Sequence, residues 1–175
     1  MATNVQLENV QFSRSGIALE MHPGAPGSTL KMENVEVAKA LSGGIVLTPP
    51  AAGTPLKVWL NNVRVSKTGG SGLLINANTS GVISNSTFDN NNNGVYVAAS
   101  SVHVSLVRDT LSNNTTNGFI HSVAGITTLM DGCSIVSNGT GVANTGSNVI
   151  GYGTNVIGYN NMDVTGNPIQ TIQGQ

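Results

Sequence analysis

The chain has little charge, few aromatic side chains and almost no cysteine. Charged residues make up 9% of its 175 residues and aromatic residues 4%, and Cys133 is its single cysteine. One cysteine excludes an internal disulfide framework, and its position in an apolar column favours a small buried hydrophobe over a reactive thiol. A net charge of -1 without a basic stripe argues against binding to nucleic acid. No apolar run is long enough to span a membrane, and we recognise no signal peptide ahead of the first strand.

What the chain does contain is a phrase that returns about every 24 residues. Asn-Val-Gln-Phe at 9–12 and Asn-Val-Glu-Val at 34–37 are its first two copies. Such a repeat predicts stacked supersecondary units rather than one globular core. We take the last apolar residue of each copy as its anchor, which gives Phe12, Val37, Val65, Phe88, Leu111, Ile135 and Ile157. These anchors predict about seven coils in a single domain over residues 1–175, about 33 Å long at the usual strand spacing.

Apolar residues alternate with others around each anchor, as in strands that bury one face. One inward column is predicted five residues before the anchors, at Leu7, Met32, Leu60, Ile83, Leu106 and Met130. A second is predicted just after the repeated glycines, at Ile17, Ile45, Leu73, Val95, Phe119 and Val142. The glycines, at 16, 44, 72, 94, 118 and 141, are expected at a tight corner whose conformation a Cβ would resist. Three short strands per coil, each pairing with its equivalent one coil later, predict an all-β parallel β-helix. The stretches 22–27 and 49–53 are expected to protrude as loops.

Asparagine recurs at two places in the repeat. Asn9, Asn34, Asn62 and Asn85 occupy one position in four successive coils, which predicts a ladder of stacked amides. A second group falls between anchor and glycine, where turns favour asparagine because it tolerates left-handed geometry. Its members are Asn90 to Asn93, Asn113, Asn114, Asn117 and Asn138.

The phrase Asn-Ser-Thr-Phe-Asp-Asn-Asn-Asn-Asn-Gly-Val-Tyr-Val at 85–97 resembles the repeats of the pectin lyase-like superfamily, in particular its small bacterial repeat-only modules. The resemblance covers nearly all of residues 4–165 and implies a right-handed, single-stranded parallel β-helix. It does not choose an activity, because that superfamily holds polysaccharide lyases, galacturonases, epimerases, phage tailspikes and members without an assigned reaction. Because no capping segment is recognised ahead of the first predicted strand, we expect an excised part of a secreted bacterial protein, a cassette-sized protein, or an end covered by another subunit.

Candidate catalytic groups are few. Glu8 and Glu33 lie four residues before their anchors, so they are expected to stack one rung apart, a distance that suits the paired carboxylates of a retaining glycosidase. Glu36 is the acid closest to Glu33 in the sequence. However, Lys31 and Arg64 lie close enough to neutralise these acids on a solvated face. The galacturonase-like members carry adjacent aspartates and the lyase-like members carry calcium-binding acids, and this chain has neither pattern. The sequence therefore favours a protein that is not an enzyme and has no metal or cofactor.

Two polar residues fall in columns that are otherwise inward. Asp109 shares a column with Val10, Val35 and Val63, so it is expected to turn outward, to bond to Ser86 and backbone, or to pair with Arg108. His121 follows Leu47, Ile75 and Val97 in another column and is interpreted as a satisfied edge residue.

The middle residues after the glycines are expected to face outward, and they are apolar. Val46, Leu74, Tyr96 and Ile120, flanked by Ala18 and Ala143, would form a strip on consecutive rungs. Such a strip favours a structural or binding module that self-associates as a homo-oligomer. The alternatives are that loops or chain ends cover the strip, or that the chain is a carbohydrate-active protein or fragment. Sugar binding without catalysis would fit Tyr96 and the asparagine-rich turns. Because residues 1–67 hold six of the seven Lys and Arg, recognition of an ionic ligand is expected in the first three coils.

Overall fold

The computed structural model describes residues 2–23, 25, 27–125, 127–146 and 148–172. All regular elements within these ranges are β-strands, and all paired strands run parallel. The strands are β1 (Asn4–Glu8), β2 (Gln11–Ser13), β3 (Ile17–Met21), β4 (Thr29–Ala38), β5 (Gly43–Leu47), β6 (Leu56–Ser66), β7 (Ser71–Ile75), β8 (Thr79–Ser84), β9 (Thr87–Asp89), β10 (Asn93–Val97), β11 (Val102–Val107), β12 (Thr110–Ser112), β13 (Asn117–His121), β14 (Thr127–Asp131), β15 (Ser134–Val136), β16 (Thr140–Asn144), β17 (Asn148–Tyr152), β18 (Val156–Gly158), β19 (Met162–Gly166) and β20 (Gln170–Ile172). No helix that could cross a membrane occurs among the described residues.

The strands stack as a β-solenoid of about seven turns, which confirms the predicted parallel β-helix. Each coil contributes one strand to each of three ladders. The third ladder is a sheet of 7 strands, from β3 to β19. The first and second ladders join into one sheet of 13 strands because β4 and β6 run through the corner between them. Of the two long loops predicted, 49–53 lies between β5 and β6, and the other lies between β3 and β4, with Gly24 and Pro26 outside the described residues.

The anchors form one continuous column through the second ladder, as the repeat predicts. Phe12 pairs with Val37, Val37 with Val65, and the column continues to Ile157 without a slip. The column five residues earlier is also correct, from Leu7 to Met130 in the first ladder. Both columns are buried in the middle coils, where their apolar side chains fill the interior.

The predicted register is wrong in the third ladder of the first coil. Leu19, not Ile17, pairs with Ile45, while Ile17 pairs with Gly43 and is 38% exposed. The cause is the number of residues needed to turn the second corner. Seven or eight residues separate anchor and inward residue in the other coils, and five, the distance from Phe12 to Ile17, are too few. The shift also removes Ala18 from the outward strip, because Glu20 is the residue that pairs with Val46.

The repeated glycines are required for space rather than for backbone conformation. Gly44, Gly72, Gly94, Gly118 and Gly141 lack the positive φ that the sequence analysis expected. A Cβ at Gly94 would lie 2.4 Å from the carbonyl oxygen of Gly118, and one at Gly44 equally close to that of Gly72. Each glycine therefore permits a close approach of the next coil. Gly16 lies outside this column, since nothing would meet a Cβ there.

The predicted asparagine ladder is present on the surface of the first corner. Asn9, Asn34, Asn62 and Asn85 all have left-handed φ, from 50 to 54°. Asn34 Nδ2 donates to Asn9 Oδ1 (3.2 Å) and Asn62 Nδ2 to Asn34 Oδ1 (2.7 Å). Asn85 does not continue this series of bonds, because its Nδ2 donates to Asn61 Oδ1 (2.8 Å) instead of Asn62 Oδ1. The ladder thus satisfies amides at a bend, as expected.

A second asparagine ladder lies inside the second corner and was not predicted. Asn91, Asn114 and Asn138 are buried. They lie between strands, as predicted, but the left-handed geometry expected of the second asparagine group occurs only at Asn90 and Asn113. Asn114 Oδ1 accepts from the Asn91 backbone N–H (3.0 Å), and Asn114 Nδ2 donates to the Phe88 carbonyl (3.1 Å). The same two bonds recur one coil later and again at Asn160. We call Asn91, Asn114, Asn138 and Asn160 the buried asparagine column.

Candidate functional site

The residue two places after the anchor faces solvent in every coil. It has left-handed φ, from 54 to 59°, in all seven coils, and in coils four to seven it directly precedes the buried asparagine column. We call this set the corner column. Its members are Arg14, Lys39, Lys67, Asn90, Asn113, Ser137 and Tyr159. Backbone bonds between coils hold the column, such as Lys39 N–H to Ser66 carbonyl (3.0 Å). The surface at this corner is therefore a straight row whose chemistry depends only on which residue each coil supplies.

The first three members of the corner column line a cationic groove. The groove has a volume of about 430 Å³ and runs along the second ladder in coils one to three. Four cations and one carboxylate face it, together with neutral polar side chains. Its lining residues are Gln11, Ser13, Arg14, Glu36, Ala38, Lys39, Arg64, Ser66 and Lys67.

The cations of the groove differ in their partners. Arg64 forms an ion pair with Asp89, with Nε 3.3 Å from Oδ1, and these bonds raise the pKa of its guanidinium. Arg14, Lys39 and Lys67 form no ion pair within the part of the chain that the structure describes. All three are exposed and lie on consecutive rungs. Three unpaired cations in a row can contact an anion without breaking an internal bond.

The candidate catalytic carboxylates do not converge. Glu8 and Glu33 stack on neighbouring rungs of the first ladder, as predicted, and Lys31 Nζ lies 3.4 Å from Glu33. Glu36 lies on the second ladder, beyond the bend at Asn34, where it accepts from Gln11 Nε2 (3.1 Å). Glu36 lines the cationic groove, and Glu8 and Glu33 do not. The described residues contain no cluster of three or more His, Cys, Asp or Glu that could hold a metal ion.

No family model, no curated protein and no solved structure matches this chain. Its likeness to known β-helix proteins rests on the repeated phrase. We therefore infer a function from the surface chemistry of the chain.

Asp109 is buried and bonded to backbone, one of the three outcomes considered. Its Oδ1 accepts from the Ser86 N–H (2.7 Å) and its Oδ2 from the Val107 N–H (3.1 Å). Arg108 instead donates from Nε to Asn85 Oδ1 (3.0 Å), although its charge acts on Asp109. Burial raises the pKa of Asp109 to about 7, against the opposing effect of the two N–H groups and Arg108. Asp109 is thus an interior bridge between coils, not a group presented to a ligand.

Cys133 and His121 are interior residues as well. Cys133 is buried, as predicted, and burial raises its thiol pKa to about 11. His121 stacks between Val97 and Asn144 and is fully buried. Its ring nitrogens have no hydrogen-bond partner among the described residues, so the expectation of a satisfied edge residue is wrong. Burial lowers the pKa of His121. Neither side chain reaches the surface grooves.

The outward apolar strip lies in the predicted register from its second member onward. Val46, Leu74, Tyr96 and Ile120 pair in sequence along the third ladder. Val46 is buried and the other three are half-buried. A more exposed apolar pair, which the sequence analysis missed, lies on the first ladder, where Trp59 (47% exposed) pairs with Val82 (38%).

Proposed function

We propose that this protein is a non-enzymatic β-helix module that binds a linear, carboxylate-bearing polysaccharide in its cationic groove. The observation that carries the proposal is the row of unpaired cations formed by Arg14, Lys39 and Lys67. Carbohydrate is also the common ligand of the pectin lyase-like proteins that the repeat resembles, and we propose membership in that superfamily on the repeated phrase alone.

The groove suits a polymer because its charges repeat. Successive rungs of a β-solenoid are spaced at about 4.8 Å, so a chain lying parallel to the axis meets a new cation at each step. Lys39 and Lys67 offer mobile ammonium groups, and Arg14 offers a guanidinium that can hold a carboxylate through two bonds. Gln11, Ser13 and Ser66 add neutral donors and acceptors for hydroxyl groups. A carboxylated sugar chain has both kinds of group.

The carboxylate geometry favours binding without catalysis. A retaining hydrolase needs two carboxylates on either side of one bond. Glu36 is the only carboxylate among the described residues that line the groove, and its Oε2 accepts a hydrogen bond from Gln11. Glu8 and Glu33 lie on another ladder, and Glu33 is paired with Lys31.

Calorimetric titration with a galacturonate hexamer tests the proposal. We expect the Lys39→Gln/Lys67→Gln double variant to bind roughly 10-fold more weakly, since each exposed pair contributes about 0.5–1 kcal/mol. The matched control is Lys31→Gln/Lys57→Gln, which removes the same charge from the first ladder and should bind as the parent does. The methyl-esterified hexamer, which is neutral, should bind far less. Equal affinity for ester and acid, or equal losses in both double variants, would overturn the proposal.

Catalysis is tested in the same samples. Incubation with polygalacturonate should release neither new reducing ends nor unsaturated products. Product formation that Glu33→Gln abolishes would replace the binding module with the carbohydrate-active alternative.

Self-association through the outward strip is the second candidate, favoured by the uninterrupted pairing of its residues across rungs. A homo-oligomer would bury Leu74, Tyr96 and Ile120 against a second copy. Mass measurement in solution should give an oligomer that Leu74→Ser/Ile120→Ser converts to a monomer. Trp59→Ser/Val82→Ser is the control pair on the first ladder. A monomeric parent would remove this candidate, and dissociation by the control pair alone would move the contact to the first ladder.

A further inference from the structure

The corner column continues past the cationic groove, and its chemistry changes from charged to neutral. Asn113, Ser137 and Tyr159 are its members in coils five to seven. They line a second groove, with a volume of about 440 Å³. Its lining residues are Asn113, Asn114, Thr115, Ser137, Asn138, Gly139, Tyr159 and Asn161.

Tyr159 has no structural reason to be aromatic. Its side chain is 91% exposed, so it adds nothing to the apolar core. Its φ of 58° is a conformation that asparagine and glycine tolerate and that a bulky side chain adopts at a cost. Neither packing nor backbone conformation accounts for an aromatic ring at this position. Contact with a ligand would account for the aromatic ring, because an exposed tyrosine offers a flat apolar face with a polar edge.

The floor of the groove is preformed. Asn114 and Asn138 belong to the buried asparagine column, in which Asn114 Nδ2 donates to Asn138 Oδ1 (2.9 Å). Backbone bonds join the adjacent turns, with Gly139 N–H donating to the Asn114 carbonyl (3.2 Å) and Asn161 N–H to the Asn138 carbonyl (3.1 Å). The side chains of Asn113 and Asn161 are exposed above this floor. A rigid floor reduces the ordering cost of binding.

The lining of this groove defines the chemistry of its ligand. Among the described residues that line it there is no Lys, Arg, His, Asp or Glu, so these residues offer no partner for a charged group. It contains amides and hydroxyls, which both donate and accept, as sugar hydroxyls do. We propose that this groove binds an uncharged saccharide, with one sugar ring on the face of Tyr159 and its hydroxyls on Asn113 and Asn161. The proposal rests on the groove's own residues and does not depend on the ligand of the cationic groove.

Calorimetric titration with three neutral hexamers, of glucose, xylose and mannose in β-1,4 linkage, tests this inference. At least one should bind at millimolar concentration or below. Tyr159→Ala should weaken that hexamer at least 10-fold, whereas Tyr159→Phe should keep the affinity because the ring is retained. Tyr152→Ala is the matched control, since it removes a tyrosine of the same coil that does not line the groove.

Separate variants distinguish binding in the neutral groove from binding in the cationic groove. Lys39→Gln/Lys67→Gln should leave the neutral hexamer unaffected, and Tyr159→Ala should leave the galacturonate hexamer unaffected. Binding of none of the three neutral hexamers by a folded protein would overturn the inference, as would equal losses in Tyr159→Ala and Tyr152→Ala. Either result would leave the proposed function of the cationic groove standing.

Discussion

The second corner of the solenoid is built differently in its two halves, although its backbone is the same. In coils one to three the corner column is cationic, and the position behind it holds Ser15, Ala40 and Thr68. In coils four to seven the corner column is neutral, and the buried asparagine column stands behind it. The left-handed φ is common to both halves, so stacking of coils imposes the conformation and the side chain need only tolerate it. The corner can therefore vary its surface chemistry without changing its shape.

The two halves also differ in the side-chain hydrogen bonds inside this corner. Asn114 bridges two coils through buried bonds, whereas Ala40 provides none and the Ser15 hydroxyl has no partner among the described residues. Cross-coil bonding at this corner is thus concentrated in the second half of the chain. The half that carries the unpaired cations is the one that lacks the ladder.

Among substitutions that test the difference between the halves, Asn114→Ala should have the largest effect on the free energy of unfolding. The substitution leaves the buried N–H of Asn91 without its acceptor, at about 2 kcal/mol, and removes one hydrogen bond to the Phe88 carbonyl, at about 1 kcal/mol, so the free energy of unfolding should fall by about 3 kcal/mol. Thr68→Ala is the control in the first half. Within the described part of the chain the Thr68 hydroxyl bonds only to the Gly70 carbonyl of the same turn, so its loss should cost about 1 kcal/mol. Urea denaturation measures both. Equal losses would show that the ladder does not distinguish the halves.

The next largest effect on the free energy of unfolding is expected from Asp109, a buried carboxyl group in the second half. Asp109 has a folded-state pKa of about 7, raised from 3.8. Between these values the folded state holds a proton that the unfolded state has released, so stability falls as pH rises from about 4 to about 7 and is constant above. Asp109→Asn should raise the free energy of unfolding at pH 8 by about 3 kcal/mol and remove most of this pH dependence. The amide keeps the bond to the Ser86 N–H, as Asn155 Oδ1 does in the same column with the Cys133 N–H (2.9 Å). The Val107 N–H loses its acceptor, and the expected gain of about 3 kcal/mol includes that cost.

Thermal unfolding between pH 5 and pH 8 measures this effect in parent and variant. A parent whose midpoint does not fall over that range, or a variant that is less stable at pH 8, would contradict the account of Asp109.

The smallest effect concerns the corner column itself. Exchanging its residues between the halves should change the free energy of unfolding by about 0.5 kcal/mol in opposite directions. Lys39→Asn should stabilise the protein and Asn113→Lys should destabilise it. The reason is that asparagine tolerates left-handed φ better than lysine does. Urea denaturation of the two single variants is sufficient. Changes of the same sign would mean that the two positions are not equivalent.

The repeat register predicted the fold because period-two burial and a constant coil length leave little freedom in stacking. It failed in the first coil because Gly16 looked like the repeated glycine, whereas Ala18 holds that place and the number of residues in the corner decides the register. The buried asparagine column was missed because Asn90 and Asn91 are adjacent in the sequence, and only the coil geometry makes one exposed and the other buried. The row of residues that lines both grooves could have been predicted from the sequence, because every member of the corner column stands two places after an anchor. The exposure of Tyr159, and the finding that Lys39 and Lys67 form no ion pair with any described residue, required the structure.

The most direct test of two grooves on one corner is chemical-shift mapping with the two kinds of hexamer. We predict that the galacturonate hexamer shifts the amide resonances of Arg14, Lys39 and Lys67, and that the neutral hexamer shifts those of Asn113, Ser137 and Tyr159. Shifts of one common set by both hexamers, or of residues away from the corner column, would contradict the account.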